Sequence, residues 1–343
     1  MSRLTLAVDA MGGDAGPSVV VPATLRYLGD NPDVGVIVFG ERRQLDACLA
    51  RHQPEAISRF QVEYAAQSVA DDEVPSAALR NKKKSSLWAA LAAVAERRAD
   101  ACVSGGNTGA MMAMAIKLLG VESLVDRPAI CTPLPGVNGC CYALDMGANV
   151  DCTPVQLHQF ARMGSVLAQR SSADRKPSIA LLNVGTEKTK GNKLVKQAAE
   201  LISKDASLSY AGFVEPDRLF SGAVEADVVV CDGFVGNMTL KAAEGVARRM
   251  IQRMLEVLDE PGGAEPQWLQ TAQVIRSEFE PAGFNGAVLV GLRHVVVKSH
   301  GSADENGFYW ALENAAMAAR ASVPGRVGNS LAAYRAERAH GPH

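Results

Sequence analysis

Six short stretches of the chain combine glycine with Asn, Ser, Thr, Lys or Asp, and each follows an apolar run and precedes a helix-like segment. The first N–H groups of a helix have no partner inside it, and the helix dipole favours an anion there. Glycine lets a backbone approach such an anion closely. These six glycine-rich loops therefore predict a phosphate-handling site; they lie at 9–17, 104–109, 145–151, 183–191, 232–237 and 298–302.

The spacing of the glycines argues against a nucleotide. Neither the GxxxxGK[ST] nor the GxGxxG pattern occurs, so a small anion such as inorganic phosphate fits the loops better. The GxSxG elbow, the HExxH helix motif and zinc-type Cys/His spacings are also absent from the sequence. Serine-based covalent catalysis and zinc chemistry consequently have no support from motifs.

Two loop residues stand out as candidate catalytic groups, Lys190 and Asn237. Lys190 precedes Gly191 and Asn192 at a helix start, where a cation could hold phosphate or stabilise an oxyanion. The ordinary alternative for a loop lysine is a solvated side chain, and Lys188 fits both readings equally. Asn237 could donate its amide to a carbonyl or phosphate oxygen, or it could cap the long helix that follows.

Further polar and glycine residues of the same loops are expected to contact the substrate. His300 is the histidine that falls inside a glycine-rich loop, where it could orient phosphate, act as a general acid or be structural. The expected substrate-contacting set is Gly12, Gly13, Ser104, Asn107, Thr108, Asp145, Asn149, Asn183, Gly185, Lys188, His300 and Ser302.

Acidic side chains in the loops leave two readings open. Asp9, Asp14, Asp145, Asp151 and Asp232 could bind Mg²⁺, or they could cap helices and hold the loops in shape. Because they are far apart along the chain, we predict neither a metal nor another cofactor.

The elements that must position these loops form an α/β protein. Apolar strands without alternation are typical of a mostly parallel sheet covered on both faces, and their alternation with helices predicts a three-layer α/β/α sandwich. Ligands bind such sheets at the carboxyl ends of strands, so we expect all six loops on one sheet edge. We expect one unit over residues 1–325, as a single body or as two lobes, then a polar tail at 326–343. A breaker cluster at 259–266 predicts the tip of a helical hairpin near 238–280.

Composition and charge indicate which partners and which cellular compartment to expect. A net charge of −2 over 343 residues argues against a nucleic-acid partner. Seven cysteines, an odd number with no CxxC pair, predict reduced thiols and a cytoplasmic location. The densest basic run could be a solvated face or a docking patch for an acidic protein; its cationic residues are Arg80, Lys82, Lys83 and Lys84.

Taken together, the ordered motifs resemble the phosphate acyltransferases of phospholipid synthesis, the PlsX family. The resemblance begins at VDAMGGD, residues 8–14, and continues through SGGNTGA, DMGANVD, LNVGTE, CDGFVGN and KSHG to about residue 325. It implies a fold like those of isopropylmalate dehydrogenases and phosphate acetyltransferases. It also places the family's functional lysine and asparagine on Lys190 and Asn237.

The resemblance further implies transfer of an acyl group from acyl carrier protein to inorganic phosphate. A homodimer, loose membrane association and a downstream membrane acyltransferase as partner are expected with it. Three other readings stay open at this point: an acyl-CoA-dependent phosphate acyltransferase, a metal- and NAD-dependent decarboxylating dehydrogenase of the same fold, and a non-catalytic membrane scaffold.

Overall fold

The computed structural model describes residues 3–52, 58–137, 139–169, 175–222, 224–258 and 285–340. Within these residues, eleven strands form a single sheet in the order β3-β2-β1-β4-β11-β10-β5-β6-β9-β7-β8. The strands are β1 Leu4–Asp9, β2 Val34–Glu41, β3 Phe60–Ala65, β4 Ala101–Ser104, β5 Ala129–Gly136, β6 Gly139–Leu144, β7 Ser178–Leu182, β8 Ser209–Val214, β9 Val228–Val230, β10 Ala287–Val290 and β11 Val295–Lys298.

The sheet consists of two sets of parallel strands that run in opposite directions. The strands β3, β2, β1, β4 and β11 are parallel neighbours, and so are β6, β9, β7 and β8. Between the sets, β10 pairs antiparallel with both β11 and β5, and β5 pairs antiparallel with β6. Three successive antiparallel pairings reverse the chain direction from one set to the other.

Because of this reversal, the expectation that all six glycine-rich loops lie on one sheet edge is wrong. Each of the six glycine-rich loops does follow the carboxyl end of a strand, as predicted. The loops after β1, β4 and β11, however, leave the sheet at one edge, and those after β6, β7 and β9 leave it at the opposite edge.

Helices cover both faces of the sheet, which confirms the three-layer sandwich. The apolar residues divide into two clusters, and neighbours along β1 point into different ones: Val8 joins the cluster of Phe160 and Phe308, whereas Ala7 joins that of Leu91 and Met111. The helices are α1 Pro17–Asp30, α2 Arg42–His52, α3 Pro75–Asn81, α4 Ser86–Ala95, α5 Thr108–Leu119, α6 Pro154–Ala168, α7 Lys193–Ser203, α8 Pro216–Leu219, α9 Gly233–Leu258, α10 Glu305–Arg320 and α11 Val323–His340.

Two expectations about the second half of the chain have different outcomes. The segment expected as a polar tail belongs to α11 up to His340, because Val327 and Leu331 are buried and Tyr334 packs on His158 with ring centroids 4.6 Å apart. The first helix of the predicted hairpin is present as α9. Its expected tip and return, at 259–280, lie outside the described residues. In the described part of the chain, no helix has the length and apolar character needed to cross a membrane.

Candidate active site

The loops at 9–17, 104–109 and 298–302 form one cluster, here called the first loop group. Gly13 adopts a φ of 92°, and a Cβ added there would lie 2.9 Å from the Gly301 carbonyl oxygen. A Cβ on Gly12 would collide with the backbone nitrogen of Gly106. The backbone N–H of Asp14 donates to the Gly301 oxygen at 2.8 Å. Gly12 and Gly13 therefore allow three backbones to pack at one sheet edge.

Inside the first loop group, Ser104 and Asp9 are bonded to each other. The Ser104 hydroxyl donates to Asp9 Oδ2 at 2.7 Å and accepts from the Gly106 N–H at 3.1 Å. Burial raises the pKa of Asp9, and the hydrogen bonds from the Ser104 hydroxyl and the Met11 N–H act in the opposite direction. The structure thus uses Ser104 to hold the loops, and its contact with substrate stays a prediction.

Asn107 connects the first loop group to a neighbouring segment at residues 70–73. Its Oδ1 caps α5 by accepting from the Ala110 N–H at 2.9 Å. Its Nδ2 donates to the carbonyls of Asp71 at 2.8 Å and Glu73 at 2.9 Å. Thr108 is the first residue of α5 and is partly exposed. The amide of Asn107 is consequently engaged by the protein.

Lys298 and His300 follow β11 two residues apart. Lys298 Nζ donates to the carbonyl of Gly105 at 2.8 Å and to that of Ser299. His300 Nδ1 lies 2.9 Å from the hydroxyl oxygen of Ser302. The backbone N–H of Ser302 donates to the same nitrogen at 3.2 Å. The remaining ring nitrogen of His300, Nε2, faces Glu244 of α9.

The loops at 145–151, 183–191 and 232–237 form the second loop group, which is organised around Asp145. Its Oδ1 accepts from the N–H groups of Ile130 and Ala148, both at 3.0 Å, and Gly147 at 3.2 Å. Its Oδ2 accepts from the backbone N–H of Asn149 at 2.7 Å and from its side chain at 2.8 Å. Both oxygens of Asp145 are thus used by the protein.

Asn149 is equally committed to the loop. Besides Asp145, its Nδ2 donates to the Pro128 carbonyl at 2.8 Å, and its own carbonyl accepts from the Gly233 N–H at 2.8 Å. Burial raises the pKa of Asp145, and the backbone hydrogen bonds oppose that rise. Asp145 and Asn149 fix the position of the loop beside the start of α9.

Helix α9 begins at Gly233 and packs directly on this loop. Asp232 Oδ1 accepts from the Val235 N–H at 2.8 Å, so Asp232 caps α9 and Asn237 does not. A Cβ on Gly236 would overlap the Asp145 carbonyl oxygen. The exposed Asn237 side chain lies in the second turn, about 3.4 Å from where a Cβ on Gly147 would be. The amide of Asn237 is therefore presented beside a bare glycine backbone.

The loop at 183–191 leaves the same sheet edge, because β7 and β9 are parallel neighbours. Buried Asn183 donates its Nδ2 to the Gly185 carbonyl at 3.1 Å, which shapes the turn. Asn192 caps α7 through the Val195 N–H at 2.9 Å. Lys188 and Lys190 both extend exposed side chains from this turn.

One face of α9 connects the two loop groups. Asn237, Lys241 and Glu244 follow one another at helical spacing, so they share that face. Glu244 Oε2 accepts from Lys241 Nζ at 2.8 Å, and Oε1 lies 3.5 Å from His300 Nε2. Burial works to raise the pKa of Glu244, but His300 and Lys241 outweigh it and hold that pKa at about 2. This face therefore places Asn237 of the second group and His300 of the first group along one helix.

Sequence reasoning did not identify Lys241, Glu244 or Lys298 as site residues. The signal for the first two was their spacing from Asn237 at i+4 and i+7. Lys298 begins the loop at 298–302, but it is far from α9 along the chain, so the sequence does not show that the two lie close together.

The basic run lies beside the segment at 70–73. Lys82 is engaged by the protein: its Nζ donates to the Ser68 carbonyl at 3.0 Å and lies 3.5 Å from Glu73. Arg80 Nε donates to the carbonyl of its own helix residue Ser76 at 3.2 Å. Arg80, Lys83 and Lys84 are exposed, and Lys82 is partly buried.

Clusters of metal-ligating side chains and the buried cysteines were the two remaining candidates for special chemistry in the described residues. No group of three or more His, Cys, Asp or Glu side chains within them is arranged to hold a metal ion. Cys102, Cys131 and Cys231 are buried, and burial raises the pKa of each thiol well above its ordinary value. These cysteines act as small apolar residues of the core, as the sequence indicated.

Comparison with known proteins identifies relatives along nearly the whole chain. The family model described as "fatty acid synthesis protein" matches residues 4–326. A protein of Nitrosococcus oceani named phosphate acyltransferase is 45% identical over 337 residues, which cover 97% of this chain and 98% of that protein. A Pseudomonas aeruginosa protein of the same name is 45% identical over 334 residues and covers 96% of this chain and 98% of its own length.

Solved structures share the fold at much lower identity. A phosphotransacetylase from Streptococcus pyogenes superposes with a TM-score of 0.60 at 17% identity, covering 94% of this chain and 95% of that one. A branched-chain phosphotransacylase from Enterococcus faecalis V583 gives a TM-score of 0.53 at 15% identity, covering 91% and 98%. These likenesses confirm the predicted fold class.

Proposed function

The chain belongs to the phosphate acyltransferase family and is an acyltransferase, and on that premise we propose that it moves a fatty acyl group from acyl carrier protein to inorganic phosphate. The products would be acyl phosphate and free carrier protein. A phosphate oxygen attacks the thioester carbonyl, the C–S bond breaks, and the electron pair leaves on the carrier's thiolate.

The observation that carries this proposal is the placement of Asn237. Its exposed amide lies against Gly147, on the α9 face that also reaches His300 in the first loop group. Because Gly147 has no side chain, a thioester carbonyl can approach the amide of Asn237 without steric conflict. Oxyanion donors of this kind contribute about 10²–10³ in rate. We assign Asn237 to the oxyanion of the tetrahedral intermediate.

Lys190 and the backbone N–H groups of the loops are assigned to the phosphate. Phosphate is already anionic near neutral pH, so catalysis requires its positioning more than its activation. The carrier's thiol has a pKa of about 8.5, so its thiolate is a good leaving group. The reaction therefore needs neither a metal nor a covalent enzyme intermediate. The exposed side chain of Lys190, at the same sheet edge as Asn237, supports this role.

The carrier protein is proposed to dock on the basic run. Lys83 and Lys84 are exposed, and complementary charge speeds the encounter of oppositely charged proteins. A second copy of the chain is the proposed partner of α9, on which the apolar residues Val246, Met250 and Val257 are each at least half exposed. The cytoplasmic location indicated by the cysteines stays a proposal, as do the loose membrane contact and the downstream membrane acyltransferase that the resemblance implies.

The donor can be identified by trapping the product. Purified protein would be incubated with phosphate, hydroxylamine and either acyl carrier protein thioester or acyl-CoA, and the hydroxamate would be measured. Phosphate-dependent hydroxamate from the carrier thioester, at a higher kcat/KM than from acyl-CoA, is expected. Preference for acyl-CoA would contradict the carrier assignment, and failure with both donors would contradict the proposed reaction.

A further inference from the structure

Lys298 has an unusual set of partners for a partly buried ammonium group. It ends β11 at the carboxyl edge, and its Nζ donates to the carbonyls of Gly105 and Ser299. Both acceptors are neutral. Among the described residues, no carboxylate lies within ion-pair distance of this nitrogen. A partly buried cation held only by neutral groups is costly unless an anion compensates it.

The charged groups around Lys298 leave room for that anion. Burial lowers its pKa to about 8, Asp71 opposes this, Lys241 lowers it further, and Asp9 and Asp14 oppose it more weakly. On α9, the carboxylate of Glu244 is already engaged by Lys241 and by His300. Asp9 is likewise bonded to Ser104.

The distance along α9 fits a reacting phosphate. Lys241 follows Asn237 by four residues, which is about 6 Å at the helical rise of about 1.5 Å per residue. A nucleophile must lie about 3–3.5 Å from the carbonyl carbon that it attacks. With one hydrogen bond of about 2.9 Å at each end, an acyl carbonyl at Asn237 and a phosphate near Lys241 require about 9 Å between the two donor atoms. The Lys241 side chain adds to the helical spacing, because its Nζ is directed towards Glu244 and away from Asn237.

We infer that Lys298, with Lys241 beside it, binds the inorganic phosphate that attacks the thioester. The first loop group then holds the nucleophile together with Lys190 of the second group, and Asn237 of the second group supplies the oxyanion donor. Phosphate gains a cation from the other half of the sheet, in addition to Lys190. This inference rests on the proposed function for the identity of the reaction, but phosphate binding itself does not depend on the acyl donor.

Direct binding tests the assignment independently of activity. Phosphate affinity would be measured by calorimetry for the wild-type chain and for Lys298→Met, Lys298→Arg and Lys117→Met. Lys117 is an exposed lysine at the end of α5 and serves as the matched control. Loss of one charge-assisted contact should weaken phosphate binding at least about 10-fold in Lys298→Met. Lys298→Arg should retain most of it, and Lys117→Met all of it.

Steady-state kinetics should show an effect on the KM for phosphate but not on the KM for the acyl donor. Lys298→Met is expected to raise the KM for phosphate while leaving the KM for the acyl donor near the wild-type value. An equal phosphate affinity in wild type and Lys298→Met, or no phosphate binding by the wild-type chain, would overturn the inference. Wild-type binding of phosphate without acyl phosphate formation would instead contradict the proposed function alone.

The pH dependence provides a second readout, which also serves if Lys298→Met fails to fold. The ammonium of Lys298 loses its proton near its pKa of about 8, so wild-type phosphate affinity should fall as pH rises through that value. Arginine stays protonated over this range, and the affinity of Lys298→Arg should therefore fall less. Phosphate's own titration is common to both proteins. Superimposable profiles would overturn the inference.

Discussion

Replacing Gly236 with alanine perturbs the contact on which the Asn237 assignment depends. The added Cβ would overlap the backbone carbonyl oxygen of Asp145 and would lie 2.9 Å from Cys231 Sγ. The Asp145 carbonyl cannot move easily, because both oxygens of its side chain accept hydrogen bonds from the surrounding backbone. The start of α9 must therefore shift away from the loop and take Asn237 with it.

The expected losses of stability and of kcat in Gly236→Ala follow from that overlap. Overpacking of a tight contact costs about 1–3 kcal/mol of unfolding free energy. A displacement of about 1 Å at a reacting group can cost about 10²-fold in rate. We expect Gly236→Ala to lose both stability and kcat, measured by urea unfolding and by hydroxamate formation.

The matched control lies on the same helix. A Cβ on Gly245 would have nothing within 4 Å, so Gly245→Ala should keep its activity and gain up to about 1 kcal/mol from helix propensity. Wild-type kcat in Gly236→Ala, or an equal loss in Gly245→Ala, would refute the reasoning about the α9 start.

Three further changes separate catalysis, docking and stability. Asn237→Ala should lower kcat about 10²–10³-fold with an unchanged unfolding midpoint, since its side chain is exposed; near-normal turnover would contradict its role. Charge reversal at Lys83 and Lys84 should raise the KM for the carrier protein and weaken its salt dependence, and an unchanged KM would argue against docking there. Asp205→Ala should cost about 3–5 kcal/mol in urea unfolding, because it leaves buried Arg162 unpaired; a loss below about 1 kcal/mol would contradict this.

Acid should weaken the wild-type protein through Asp205. Burial works to raise its pKa, but hydrogen bonds from His158, Ser207 and Arg162 prevail and hold it well below its ordinary value. Its contribution to stability is therefore complete above the unfolded-state pKa of about 3.9 and is lost as the pH falls towards the folded-state value. Urea midpoints measured from pH 6 to pH 3 should decline, and the decline should be smaller in Asp205→Ala.

The strands that carry the glycine-rich loops were predictable because they are short, apolar and buried on both faces. The strands that reverse the sheet were not. The sequence of β5 contains Pro133 and Pro135, which argue against a strand, and β10 is followed by another strand and not by the loop and helix that mark the predicted strands. Because the reversal depends on these two strands, the division of the loops between two edges could not be read from the residue pattern.

The candidate site was predictable to a similar extent. Loop composition identified Asn237 and the glycines, but residue type alone could not separate ligands from loop-holding groups. Asp145 and Asn149 have the side chains of a binding site, yet the structure engages both with backbone partners. Lys298 became apparent only when the fold brought the loop after β11 next to α9.

The central claim is that inorganic phosphate itself attacks an acyl carrier protein thioester in this protein. The direct test is ³¹P NMR of the reaction with fully ¹⁸O-labelled phosphate. The account predicts a new acyl phosphate resonance that retains all four labelled oxygens and grows as free carrier protein appears. Release of fatty acid and carrier protein without a new phosphorus resonance would contradict it.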